Sequence, residues 1–238
     1  MPAHLFRVGL IVPSSNTVME PDFHRNLGST VVISTTRIFL EQVTREAELR
    51  MLQEDLPRSV QLIKTVGPDV IVFGCTSASS LGGLSRDAEI AHSIEQETRA
   101  KVITVLGSVL AQLSMNRPQK VALFTPYQEE LTRSVAECLA EGGYRVVKAA
   151  GMGILNNREI GEVTPGEIVN FVESHMAGVD TDCLFLSCTN WQAIGAIEPL
   201  QAKFGVRVIS SNQAAIDAVR QMVAGTEAQT ERGPLARS

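Results

Sequence analysis

The sequence predicts an α/β protein of two similar halves, each a parallel sheet flanked by helices, and three observations carry that prediction. Short apolar runs rich in β-branched residues alternate with amphipathic stretches, an order that implies parallel strands joined by right-handed crossovers. Two of those runs, VIVFGCTS and LFLSCTN, end in a cysteine followed by threonine, Cys75 in one and Cys188 in the other. An apolar run ending at Pro13 (VGLIVP) precedes Cys75 by 62 residues, and a similar run ending at Pro126 (VALFTP) precedes Cys188 by the same 62. The chain therefore reads as one design used twice, with one thiol in each copy.

Element by element, the first half opens with a strand at Val8–Val12, a polar loop through SSNTVMEPD and a second strand at Val31–Arg37. A helix follows over Glu41–Thr65. Gly67 and Pro68 break it and introduce the strand Asp69–Gly74, after which a helix covers Ser85–Thr98. A strand at Val102–Val105 and a helix from Leu106 to Met115 complete the half, and Arg117-Pro118 is the natural boundary. The second half repeats the order: strand Val121–Thr125, helix Glu129–Glu141, a turn at Gly142 and Gly143, strand Arg145–Lys148 and a loop through Met152–Thr164. Pro165 then stands at a good first helical position, strand Cys183–Ser187 leads into Cys188, helix Gln192–Phe204 stops at Gly205, strand Val206–Ile209 follows, and a last helix runs from Gln213 to Ala224. The division expected is thus 1–117 and 118–225, with part of the last helix packing on the first half and 226–238 a polar, frayed tail.

Bulk composition narrows the function classes. At 238 residues with 44% hydrophobic content the chain has ample core for two units. A net charge of −5, without a basic run, argues against nucleic-acid or anionic-membrane partners. No apolar stretch approaches the ~20 residues that span a bilayer, and MPAHLFRVGLIVP lacks the features of a signal peptide, so a cytoplasmic protein is expected. The four cysteines, Cys75, Cys138, Cys183 and Cys188, are too sparse for a disulfide framework, and no CxxC or His-rich spacing suggests zinc.

Open α/β sheets hold their ligands at the C-terminal ends of their strands, which is where Cys75 and Cys188 fall. Each is followed by small polar residues, Thr76 and Ser77 in one half, Thr189 and Asn190 in the other. Backbone N–H groups at a loop opening a helix attract anions and lower a thiol's pKa, making it a nucleophile or proton carrier. A single buried cysteine is ordinarily just a small hydrophobe, but two at equivalent strand ends point to function. Cys138, inside the helix TRSVAECLAE, and Cys183, at the start of its strand about 16 Å from Cys188, read as structural. Ser14 to Thr17 bring hydroxyls, with Ser15 among them, and the amide of Asn16 to the end of the first strand. The equivalent loop of the second half carries Tyr127. These, with Asn156 and Asn157, are by default turn formers, caps or packing groups, and become ligands of a carboxylate where their loops fold over the cleft. His4, His24, His92 and His175 lie in the N-terminal segment or in predicted helices away from the strand ends, which weakens any Cys–His hydrolase reading.

With PSSNT, GCTS, TPY, the Asn156-Asn157 loop and SCTN in order, the chain resembles the aspartate/glutamate racemase superfamily. Within it the resemblance is to the maleate cis-trans isomerases, with the arylmalonate decarboxylases as near relatives, and it extends from GLIVPSSNTVME at 9–20 to VISSNQAAIDAVR at 208–220. The resemblance implies two pseudo-symmetric flavodoxin-like halves, an active site between them, no cofactor or metal, and a homodimer. It also implies roles: Cys75 as the nucleophile that adds to the double bond of maleate, Cys188 as the group that manages the proton, and Asn16, Tyr127 and Asn157 as carboxylate-binding groups. The spacing to Cys188 favours Asn157 over Asn156 in that comparison. Arylmalonate decarboxylases keep only the second cysteine, whereas amino-acid and hydantoin racemases keep both. MEPD at 19–22 departs from the METE of the isomerases.

The function expected is therefore cofactor-independent conversion of maleate, or a related small unsaturated dicarboxylate, to fumarate through a succinyl-cysteine. The alternatives are a two-cysteine amino-acid or hydantoin racemase, an arylmalonate-type decarboxylase, and a non-catalytic carboxylate-binding protein on the same scaffold.

Overall fold

A computed structural model describes residues 5–231 of the chain. One sheet comprises β1 (Phe6–Pro13), β2 (Val31–Ile38), β3 (Val70–Phe73) and β4 (Lys101–Thr104), in the order β2-β1-β3-β4. The other comprises β5 (Lys120–Thr125), β6 (Arg145–Gly151), β7 (Cys183–Leu186) and β8 (Arg207–Ser210), in the order β6-β5-β7-β8. Every strand pair is parallel, so the two sheets share one topology, with the first and third strands of each at its centre. Central parallel strands are covered on both faces, which is why β3 (VIVF) and β7 (CLFL) are continuous apolar runs and completely buried. Burying side chains such as Ile71 and Phe73 stabilises by roughly 1.5–3 kcal/mol each.

The helices are α1 (Met19–Asn26), α2 (Arg45–Arg50), α3 (Leu56–Lys64), α4 (Thr76–Ser80), α5 (Gly83–Thr98), α6 (Val105–Asn116), α7 (Glu129–Glu141), α8 (Asn157–Glu162), α9 (Pro165–His175), α10 (Ile194–Phe204) and α11 (Ser211–Glu231). A π-helical turn over Met51–Asp55 joins α2 to α3, so the run expected over Glu41–Thr65 is continuous but begins only at Arg45, where the Thr44 hydroxyl accepts from the Ala47 N–H. At α9 Thr164 and Glu167 form a capping box around Pro165, and α10 ends at Gly205 in the left-handed conformation.

Three helices correct the sequence reading. The loop expected through SSNTVMEPD turns into α1 at Met19, because the Asn16 side-chain oxygen accepts from the N–H groups of Val18 and Met19 and starts a helix there. The residues after Cys75 form α4, and the loop through Met152–Thr164 contains α8, started by the Asn156 side chain on the Arg158 N–H. The last helix also runs on to Glu231, so residues 226–231 are helical rather than a frayed tail, while 232–238, like His4, lie outside the described residues.

Although α11 follows the second sheet in sequence, its Ala215, Ile216 and Val219 join one apolar cluster with Phe6, Val8, Leu10 and Val12 of β1 and Val70 and Val72 of β3. The C-terminal helix thus covers a face of the first sheet and ties the two halves together. No described helix is long and apolar enough to cross a membrane.

Candidate active site

The C-terminal ends of the four central strands converge. Ser14 to Thr17 follow β1, Cys75 follows β3, Tyr127 lies two residues past β5, and Cys188 lies two residues past β7. Gly74 lets the first of these turns close: a Cβ there would stand 2.6 Å from the Met19 sulfur and 2.9 Å from the Ile11 carbonyl oxygen. The residues flanking the two cysteines touch directly, since the Thr189 hydroxyl donates to the Gly74 carbonyl at 3.0 Å. Both thiols are enclosed, with Cys75 3% and Cys188 5% exposed.

Hydrogen bonds between the halves surround them. Asn16 Nδ2 donates to Thr189 Oγ1 at 3.0 Å, and the Thr17 N–H donates to Asn190 Oδ1 at 2.9 Å. Asn190 Nδ2 in turn reaches the carbonyl of Asn157, whose own Nδ2 donates to Ser15 Oγ at 2.8 Å. Thr76 Oγ1 and Ser211 Oγ are 3.0 Å apart. A strap closes this side of the cluster, where Val43 N–H donates to Leu155 O at 2.8 Å and Asn157 N–H to Glu41 O at 2.9 Å. Cys75, Cys188, Ser15, Asn16, Thr76, Ser77, Tyr127, Asn157, Thr189 and Asn190 are therefore gathered at one place. Asn156 is not among them, because its side chain caps α8.

The acid–base character of the site differs from the sequence expectation. The sequence predicts thiol pKa values lowered by loop N–H groups, and those groups are present. The backbone of Ala78 and the Ser77 hydroxyl act on Cys75, and the Tyr127 hydroxyl and the N–H groups of Asn190 and Trp191 act on Cys188. Burial outweighs them. It pushes the Cys75 thiol well above the usual range and Cys188 up to about 12, so both are neutral in this enclosed arrangement. The Asn190 N–H donates to the Cys188 sulfur at 3.3 Å. Burial lifts Tyr127 well above a free phenol as well, with the nearby Cys188 and Cys75 adding to the effect.

One group of the cluster escaped the sequence reading. Glu48 on α2 is fully buried, and its Oε1 accepts a hydrogen bond from the Ser77 hydroxyl, which itself stands 3.8 Å from the Cys75 sulfur. Burial raises the carboxyl from 4.5 to about 8, partly offset by that hydrogen bond. Its signal was helical spacing: Glu48 stands three and four residues before Met51 and Leu52, both buried, which puts a charge on an apolar face.

The remaining candidates lie elsewhere. Cys138, inside α7, donates to the Ser80 carbonyl at 3.4 Å, and Cys183 opens β7, where it lines a cleft of about 1030 Å³ at the far end of the second sheet. His24 and His92 are exposed, and His175 is the last residue of α9. No group of three or more His, Cys, Asp or Glu among the described residues is placed to hold a metal ion.

Comparison with known proteins gives consistent relatives. The sequence pattern of the family described as arylmalonate decarboxylase matches residues 8–235. A maleate isomerase of Geobacillus stearothermophilus is 28% identical over 220 residues, covering 87% of each chain. An arylmalonate decarboxylase of Bordetella bronchiseptica is 26% identical over 230 residues, covering 96% of this chain and 95% of its own. Among solved structures, a cysteine variant of the Nocardia farcinica maleate cis-trans isomerase with a covalently bound succinylcysteine intermediate superposes with a TM-score of 0.83. It is 23% identical and covers 92% of this chain and 93% of its own.

Proposed function

Given that the chain belongs to the arylmalonate decarboxylase family, we propose that it is an isomerase that converts maleate to fumarate through a succinyl group carried on Cys75. The observation that carries this reading is the pair of thiols at matching strand ends, brought together where Thr189 bonds to Gly74. A decarboxylase of the related type needs only one of them. The names of the relatives, maleate isomerase and a succinylcysteine-bearing isomerase, point the same way.

In the proposed cycle the Cys75 thiolate adds to one alkene carbon, forming a C–S bond, and the neighbouring carbon takes the proton of the Cys188 thiol. What was a stiff double bond is now a single bond, free to rotate. Cys188 thiolate then removes a proton from that same carbon, the double bond re-forms in the trans arrangement, and the C–S electron pair returns to Cys75. Charge that develops on the adjacent carboxylate is met by polar groups rather than by cations: the amides of Asn16, Asn157 and Asn190, the Tyr127 phenol, and the hydroxyls of Ser15, Thr76 and Thr189 once substrate replaces their internal partners, with Ser77 left on Glu48. Maleate reaches the enclosed thiols when the strap between Leu40–Thr44 and Leu155–Asn157 parts. On this reading the reaction needs neither cofactor nor metal, and the enzyme works as a cytoplasmic homodimer.

The test is to mix the protein with maleate, follow the solution by proton NMR and weigh the intact protein by mass spectrometry. Fumarate together with a succinyl-sized mass addition that maps to Cys75 is the expected result. Absence of both product and adduct overturns the proposal and turns attention to the racemase reading, which the same two thiols favour and which predicts solvent deuterium at the α-carbon of an amino acid.

A further inference from the structure

The proposed cycle begins with a thiolate, yet burial holds Cys75 as a neutral thiol and, among the described residues, no histidine acts on it. What does stand beside it is the chain Cys75, Ser77, Glu48. The sulfur is 3.8 Å from Ser77 Oγ, within the range of a hydrogen bond to sulfur, and Ser77 donates its own proton to Glu48 Oε1. The other carboxyl oxygen, Oε2, is buried without a hydrogen-bond partner among the described residues. A leucine would fill this position on the apolar face of α2 at no electrostatic cost, whereas a buried carboxylate with one bare oxygen is strongly inclined to take up a proton.

We propose that Glu48 is the proton acceptor that ionises Cys75, working through the Ser77 hydroxyl; the role rests on the reading of Cys75 as the nucleophile. The Cys75 thiol proton passes to Ser77 Oγ as the Ser77 hydroxyl proton passes to Glu48 Oε1. This leaves a thiolate, an unchanged serine and a neutral carboxylic acid. The thiolate's electron pair forms the C–S bond, and when that bond later breaks the two protons retrace their path. Glu48 touches no reacting carbon, so it is a positioning residue for the proton rather than a catalytic one.

Its surroundings suit that task. Ser77 on α4 is the side chain that hydrogen-bonds it, and its own charge is felt by Cys75 at the end of β3 and by Tyr127 and Cys188 from the second half. On its own helix Arg45, Glu46 and Arg50 are exposed, and Arg50 pairs with Glu46 at 2.8 Å. The carboxyl is lifted to about 8, so it exchanges its proton close to neutrality rather than in the acid range of a free glutamate.

The decisive measurement is the rate at which iodoacetamide alkylates Cys75, mapped by peptide mass spectrometry, in the full-length protein across about pH 6 to 10. Wild type is expected to rise to a plateau above about pH 8, the range in which Glu48 ionises. Glu48→Gln is expected to be about a hundredfold slower near that pH and to climb without a plateau. Ser77→Ala, which keeps the carboxyl but cuts the path, should show the same loss, and the double variant should lose no more than either single one.

A merely electrostatic Glu48 predicts the opposite sign, because its negative charge raises the Cys75 thiol and removing it would quicken alkylation. A Glu48→Gln protein that reacts as fast as wild type or faster overturns the proposal, as do additive losses in the double variant. If Glu48→Gln does not fold, as judged by circular dichroism, Ser77→Ala decides alone, and a retained plateau overturns it. The readout involves no maleate. Loss of the plateau in a protein that makes no fumarate keeps the proton path and discards the substrate, whereas fumarate production with an unchanged plateau does the reverse.

Discussion

The two cysteines occupy equivalent places in two sheets of one topology, but their neighbours differ. In the first half the residue two positions past the cysteine is Ser77, which hydrogen-bonds the buried carboxyl of Glu48. In the second half it is Asn190, which spends its side chain joining Thr17 to Asn157, while Cys188 takes its hydrogen bonds from the Tyr127 phenol and from backbone N–H groups. The segment after the second strand of each sheet shows the same divergence, delivering a carboxyl, Glu48, in one half and an amide, Asn157, in the other. A repeated fold thus fixes where the two thiols sit, and single residues around them give each a different hydrogen-bonding environment.

The largest expected effect comes from exchanging each sulfur for oxygen in turn. Cys75→Ser and Cys188→Ser should each lower fumarate formation by about a thousandfold or more, because each removes one member of a unit that works together. Their covalent signatures should differ. Cys75→Ser mixed with maleate should stay at its unmodified mass, while Cys188→Ser should slowly accumulate a succinyl-sized addition on Cys75, because water can supply the proton that completes the adduct but a serine hydroxyl is too weak a base to remove it for the return step. An adduct on Cys188 in the Cys75→Ser protein would reverse the assignment of the two halves.

Next in size is the cost that the first half bears for its carboxyl. Glu48 holds its proton in the folded protein up to about 8, whereas a free glutamate side chain releases it near 4.5. Below 4.5 both states are protonated and the group is neutral in its effect. As pH rises the unfolded chain loses the proton first, so the folded state is progressively disfavoured until the folded carboxyl ionises as well. By linkage this one group lowers stability by about 4 to 5 kcal/mol at pH 8 relative to a neutral residue. Glu48→Gln should therefore match wild type in urea unfolding near pH 4.5 and exceed it increasingly toward pH 8. A constant difference across that range would show that the carboxyl is ionised throughout, and the contrast between the halves would lose its basis.

Much of this comparison was legible in the sequence, and the exceptions have physical causes. Strands such as VIVF and CLFL declare themselves because parallel central strands are apolar on both faces, and the cysteines at their ends mark the site. The short helices did not. Five-residue α4 and six-residue α8 lie far below the length at which a helix forms on its own, so their existence depends on packing and on single caps such as Asn156. Gathering the site residues of both halves also depends on tertiary contacts, notably Asn157 with Ser15 and Asn190 with Thr17, that no local pattern announces. Glu48 was hidden differently: a glutamate in the charged stretch TREAELR reads as solvated unless its spacing to Met51 and Leu52 is counted.

The smallest expected effect is also the sharpest test of whether the halves act separately. The Tyr127 hydroxyl lowers the Cys188 thiol against the upward push of burial, and Phe at this position keeps the ring while deleting only that bond. A net hydrogen bond contributes about 0.5–1.5 kcal/mol, so Tyr127→Phe should slow Cys188 alkylation by roughly two- to tenfold and move its pH profile upward. The Cys75 profile should stay in place, because its contacts are with Ser77 and the backbone of Ala78 rather than with Tyr127. Equal shifts at both sulfurs would mean that the two thiols titrate as one coupled system. Unequal shifts would place the phenol with the second half and leave the carboxyl with the first.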